Sequence, residues 1–263
     1  MIHVFFAEVR KLRRPSLSLA TLVTVAVLTG LFTSLVFLRI GKAGGHGREG
    51  VILTAQTLSK ANGVVYAFQL VGFFLGIVAL CIFASQTAQE YSYGTLRNLL
   101  VRQPARMKIL LGKYLAMVFF TLVLVTFAAI ISIALSYALS GHGHVNTTLW
   151  SSSSGIHFLS QAFGNIFLSA VGYGTVGMIL GLLLRSPISS IAVGVIWFLI
   201  LENILAGVVT SSGKWLPGQN LSNLAAGGDP VLSYQRSLLT SGGYLIVFSL
   251  VAAFLFKRRD VAN

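Results

Sequence analysis

Chemistry in this chain has to come from few residues. Charged side chains make up 10% of the 263 positions, with 6 acids against 19 lysines and arginines. Glu202, followed by Asn203, stands inside a long apolar run. An ionisable group at membrane depth is expensive and is functional by default, as a proton relay, a partner for a cation, or a contact for a polar substrate group. The plainer reading is that Glu202 lies near the outer end of its helix, reaches water and anchors that helix. Gln69, in another apolar run, suits a hydrogen bond between helices. Gln69, Glu202 and Asn203 are the candidate substrate-path residues.

A second group lies where the greasiness breaks, between Gln86 and Lys113. This stretch carries Arg97, Arg102, Arg106, Lys108 and Lys113 against Glu90 alone. Positive charge beside membrane spans is retained on the cytoplasmic side. Gly94 breaks the helix arriving from the preceding apolar run, and Thr95 can cap a new one. Leu96, Leu99 and Leu100 then form an i, i+3, i+4 stripe with Arg97 on another face, and Pro104 stops the helix. A short capped amphipathic helix of this kind offers a docking element to a cytoplasmic partner. The competing reading is a basic loop resting on anionic lipid.

Other chemistries lack their parts. A P-loop needs Gly-x-x-x-x-Gly-Lys-Ser/Thr, but the Gly-Lys pairs at Gly41, Gly112 and Gly213 are followed by Ala, Tyr and Trp. ATP hydrolysis by this chain is therefore not expected. His142, His144 and His157 sit among Gly and Ser without acids or cysteines nearby, a weak metal set, and no metal site is expected. No Ser/His/Asp arrangement or His-Glu-x-x-His motif is visible. Cys81 is the single cysteine, so an intrachain disulfide is impossible.

The elements that must position these residues are membrane spans. Hydrophobic residues make up 55% of the chain and its mean hydropathy is +0.83. A soluble domain carries roughly 25% charged residues. A span needs ~20 mostly apolar residues, and six segments qualify: Leu17–Leu38, Val64–Ser85, Tyr114–Leu139, Phe158–Leu184, Pro187–Val209 and Leu238–Phe256. With both termini in the cytoplasm, 13 of the 19 basic residues fall on the inner side, as the positive-inside rule requires. The net charge of +13 thus reflects topology. Nucleic acid is not an expected partner, because the cations are not interleaved with exposed aromatics. Before the first span, Ile2, Phe5, Phe6, Val9 and Leu12 follow helical spacing, with Arg10, Lys11, Arg13 and Arg14 mainly off the stripe. That pattern fits an amphipathic helix lying in the membrane interface. Between the last two spans, Trp215-Leu216-Pro217-Gly218 makes a turn after which the chain can dip back into the membrane edge. Gly72-x-x-x-Gly76 and Gly177-x-x-x-Gly181 permit close helix packing.

The stretch Glu90-Tyr-x-x-Gly94-Thr95-Leu96-Arg97-x-Leu99-Leu100, followed by Pro104, Arg106 and Gly112-Lys113, resembles the permease subunits of bacterial ABC exporters of the type-2, ABCG-like class. The resemblance implies six spans, an interfacial helix over residues 1–15, a coupling helix between spans two and three within residues 86–113, and a re-entrant outer segment within residues 210–237. It implies that Tyr93 to Gln103 docks on a separate ATPase subunit, which holds the ATP and magnesium, while this chain carries no cofactor. Glu90, Gly94, Thr95, Leu96, Arg97, Leu99, Leu100 and Arg102 become the ATPase-coupling residues. It also implies a dimer with a second permease subunit, of the same or a sister chain. The reading is then an all-α polytopic membrane protein, one permease domain over residues 1–263. It would sit among lipids in a bacterial plasma membrane and export a hydrophobic or amphipathic substrate. Two rivals remain: a proton-coupled secondary transporter using Glu202, and a membrane scaffold or sensor that transports nothing.

Overall fold

The computed structural model describes residues 2–40, 53–94, 106–209, 212–229 and 232–258. Every regular element among them is helical. Helix α1 (Ile2–Leu12) is short and amphipathic, and Pro15 opens α2 (Pro15–Leu38) from its first turn. Proline suits that position because its missing N–H would have had no partner there. A single turn, α3 (Ala55–Leu58), precedes α4 (Gly63–Ser92). Then come α5 (Arg106–Ser140), α6 (Ser153–Leu184) and α7 (Pro187–Ile196). A π-helical segment (Trp197–Leu201) joins α7 to α8 (Glu202–Val208) without a break. Beyond a 3-10 turn at Ser212–Lys214 lie α9 (Pro217–Ala226) and α10 (Tyr234–Arg258).

Among the described residues, five helices are long and apolar enough to cross a membrane: Pro15–Leu38, Gly63–Ser92, Met107–Ser140, Ser153–Leu184 and Pro187–Val208. Two of them overrun the expected limits by the widest margins. α4 continues past Ser85 to Ser92, and α5 begins well before Tyr114. Gln86, Thr87 and Glu90 extend α4 because Thr87 and Glu90 are buried against neighbouring helices instead of facing water. Gly94 does end α4: it takes φ 64°, the left-handed conformation that follows many helices, and its N–H bonds the Tyr91 carbonyl. The expected sixth span, Leu238–Phe256, falls within α10, which runs as one helix through Gly242 and Gly243.

α4 and α6 form the centre. In its most apolar stretch α6 is 67% buried, whereas the corresponding figure for Pro187–Val208 is 17%. The side chains of Phe68, Leu80, Phe83, Ile166 and Tyr173 are enclosed here. Both glycine pairs lie in this seam. A methyl group at Gly177 would sit 2.3 Å from the Leu80 carbonyl oxygen, and one at Gly76 would meet the Tyr173 ring. The other long helices surround this pair and leave apolar faces outward, for example Val23 and Val27 on α2 and Ile200 and Ile204 around the π segment.

Candidate functional site

Two polar centres are buried in this apolar frame. The first joins α1 to the helices that lead into and out of segment 95–105. α1 turns Val4, Glu8 and Leu12 inward, while Ile2 and Phe6 point out. Phe5 rests edge-on against Phe119 of α5, with ring centroids 6.1 Å apart. The inward face thus carries an acid in the middle of an apolar stripe. Glu8 is 4% exposed, Glu90 8% and Lys113 4%. Lys113 Nζ lies 2.7 Å from Glu90 and 3.5 Å from Glu8. Lys11 Nζ lies 2.5 Å from Glu8 and 3.1 Å from Glu90. Two ammonium groups and two carboxylates therefore alternate in a closed ring that spans three helices.

Such a ring is sensitive to its members. Removing one partner of a buried ion pair strands the other charge and costs roughly 3–5 kcal/mol. Burial alone would lower the Lys11 pKa, but the hydrogen bond to Glu8 and the charge of Glu90 outweigh it and raise the pKa above 10.5. The sign follows. The stabilisation from holding Lys11 charged is complete below 10.5 and is lost only as pH climbs through the raised folded value.

The second centre is built on Glu202. α9 begins Leu216-Pro217-Gly218, and Leu216 in the capping position has no side chain able to accept the free N–H groups of the first turn. Glu202 supplies that acceptor from another helix. Gly218 N–H donates to Oε1 at 3.0 Å and Gln219 N–H donates to Oε2 at 2.9 Å. The Trp197 indole N–H donates to Oε1 at 2.7 Å. Negative charge at a helix N-terminus is further favoured by the helix dipole. The π segment makes this reach possible: the Glu202 N–H bonds the Trp197 carbonyl five residues back, and the widened turn swings Glu202 toward α9. Space is tight, since a Cβ at Gly218 would come 2.5 Å from Glu202 Oε2 and 2.3 Å from Phe198.

The rest of α9 is held by side chains of the central pair. Tyr173 Oη donates to the Gly218 carbonyl at 2.8 Å, and Ser169 Oγ to that of Leu221 at 2.7 Å. Gln69 Nε2 donates to the Ala226 carbonyl at 3.2 Å. Asn223 donates to the Leu232 carbonyl and to Ser237 Oγ, both at 2.7 Å, tying α9 to α10. An isolated ten-residue helix is marginal; these contacts fix both its ends.

The sequence-derived residues are distributed as follows. Glu90 belongs to the ion ring, so it is a buried joint and presents little surface to a partner. Gly94 ends α4. Thr95, Leu96, Arg97, Leu99, Leu100 and Arg102 lie outside the described residues. The expectation that Glu202 reaches water is corrected: it is 1% exposed, and what it anchors is α9. Asn203 accepts from Gln219 Nε2 at 3.3 Å, and Gln69 bonds the end of α9, so all three substrate-path candidates contact the same short helix. Glu8 was missed because the apolar spacing drew attention to Phe5 and Phe6. A signal was present: with so few acids in so basic a chain, an acid on an apolar helix face calls for a buried cation.

Residues 47–262 match the model of a family described as Protein of unknown function (DUF2705). This chain belongs to that family. The DUF2705 match takes in Glu90, Lys113, Glu202 and the whole of α9, and it begins after α1 and α2. The chain is also 26% identical over 210 residues to the "Uncharacterized protein YhcI" of Bacillus subtilis (strain 168). That similarity covers 72% of this chain and 65% of the relative, less than two thirds of its length.

Proposed function

We propose that this DUF2705 protein is the transmembrane permease subunit of an ATP-driven exporter, powered by a separate ATPase subunit. One observation carries the reading. The ends of the two helices that flank residues 95–105 are joined to each other and to α1 by the ring of Glu8, Lys11, Glu90 and Lys113. A push on the segment between these helices is transmitted at once to an interfacial helix and two spans, which is what a coupling element has to do. The turn between α6 and α7 adds to this support. Arg185 lies 5.5 Å from the centre of the Tyr91 ring, and its carbonyl accepts a bond from Ser92 Oγ at 3.3 Å.

In this reading α10 is the sixth span, α9 is the re-entrant outer segment, and α1 lies in the inner interface with both termini cytoplasmic. The ATPase binds ATP and magnesium and docks on residues 93–103 through Leu96, Leu99 and Leu100, with Arg97 and Arg102 as further contact or hinge residues. Two permease subunits, identical or sister chains, enclose the path for a hydrophobic or amphipathic substrate. The three donors on Glu202 favour a fixed joint over a proton carrier, so coupling to ATP is preferred to coupling to protons.

The test is co-purification of the tagged full chain from its native membrane, with Leu96, Leu99 and Leu100 each changed to Asp in the comparison variant. An ATPase subunit retained by wild type and lost by the folded variant is expected. Absence of any ATPase from gently solubilised wild type refutes the proposal.

A further inference from the structure

A cavity of about 640 Å³ opens at the corner between α1 and α2 and the end of α4. Its floor is the ion ring, through Lys11, Glu90 and Lys113. Around that floor stand the side chains of Arg14, Ser16, Gln86, Gln89 and Tyr93. None of these five has a hydrogen-bond or ion-pair partner among the described residues. Every one of them can donate a hydrogen bond. Arg14, Ser16 and Tyr93 are exposed and Gln86 and Gln89 half-buried, so all five side chains are free to turn toward a polar ligand that enters this concave site.

The charge decides its sign. Lys11, Arg14 and Lys113 face Glu8 and Glu90, and since each lysine already bridges both carboxylates, the excess positive charge rests on Arg14. A guanidinium presents a planar fork that matches phosphate oxygens. The remaining wall is apolar, formed by Leu17 and Ala20 of α2. It continues along that helix into the outward-facing Leu19, Val23 and Val27. A free phosphate has no use for such a wall, whereas an acyl chain does.

We infer that this cavity binds the headgroup of an anionic phospholipid, with the phosphate on Arg14 and the glutamine amides and an acyl chain lying along α2. The site needs the chain to reside in a membrane but does not depend on the transport reading, because lipid binding is measured without any ATPase. A bound lipid here would bridge α1, α2 and α4 beside the segment assigned to coupling.

The experiment is thermal unfolding of the purified full-length chain in a neutral detergent, titrated with phosphatidylglycerol, phosphatidylcholine or inorganic phosphate. Wild type is compared with Arg14→Gln, Gln89→Leu and Arg10→Gln, the last removing a cation that does not line the cavity. Arg14 makes no side-chain capping bond to α2, so its replacement leaves the fold intact; Gln89→Leu is an independent check. Phosphatidylglycerol is expected to raise the melting temperature saturably. The midpoint should shift by roughly tenfold or more in Arg14→Gln, the loss of one charge-assisted pair, rise also in Gln89→Leu, and stay unchanged in Arg10→Gln. Three results overturn the inference: phosphatidylcholine acting as strongly, inorganic phosphate acting as strongly at equal concentration, or Arg10→Gln and Arg14→Gln losing affinity equally.

Discussion

Replacing Glu202 should release the front of α9 while leaving its rear in place. In Glu202→Ala, the N–H groups of Gly218 and Gln219 lose their acceptor. A buried donor left without a partner costs about 1–3 kcal/mol. The two together, in a site where Gly218 is enclosed by Phe198 and α6, destabilise the first turn by about 3 kcal/mol. At about 1.4 kcal/mol per tenfold change, local opening becomes about a hundredfold more frequent, and amide exchange speeds up accordingly. Glu202→Gln keeps one acceptor oxygen, and its amide nitrogen faces a backbone N–H, so the expected acceleration is only about tenfold. Hydrogen exchange read by mass spectrometry on the protein in nanodiscs resolves this. Peptides containing Gly218 and Gln219 should exchange faster in the order wild type, Gln variant, Ala variant. The amides near Ala226, held by Gln69 and Asn223, should change little. If exchange at Gly218 and Gln219 is the same in all three folded proteins, Glu202 does not cap α9 and the argument fails.

Lys113→Met should destabilise the protein by roughly 3–5 kcal/mol, because Glu8 and Glu90 each lose a buried cation. Combining it with Glu90→Gln should recover much of that loss in thermal unfolding; additive losses would mean that the two side chains do not interact. Gly177→Ala places a methyl 2.3 Å from the Leu80 carbonyl and should lower stability by about 1–3 kcal/mol. Gly164→Ala, which meets nothing within 4 Å, should be neutral or stabilising by the same assay.

Much of the helical frame was legible because apolar runs of this length have few alternatives. Leu17–Leu38 and Phe158–Leu184 lie within α2 and α6. Polar ends were harder. Thr87, Glu90 and Lys113 look like loop residues by composition, yet Thr87 is buried against α6 at Gly181 and the two charges are buried beneath α1, contacts between residues far apart in sequence. The same cause hid Glu8. Glu202 could be singled out by its isolation, but its partners are backbone N–H groups sixteen and seventeen residues away, which no side-chain pattern announces. The π segment at Trp197–Leu201 has no compositional mark either. It is visible only through the bonds it makes.

The seam between α4 and α6 limits how this protein can move. Helices that meet through layers of side chains can creep past one another by small rotamer changes. At Gly177 no such layer exists, for the α6 backbone rests directly on the Leu80 carbonyl, while at Gly76 the Tyr173 ring lies against the bare α4 backbone. Sliding along that contact means a jump of a whole turn, about 5.4 Å. The central pair therefore behaves as a single beam. In the proposed transport cycle, rearrangement would therefore fall at its margins, among α2, α5 and the α7–α8 helix.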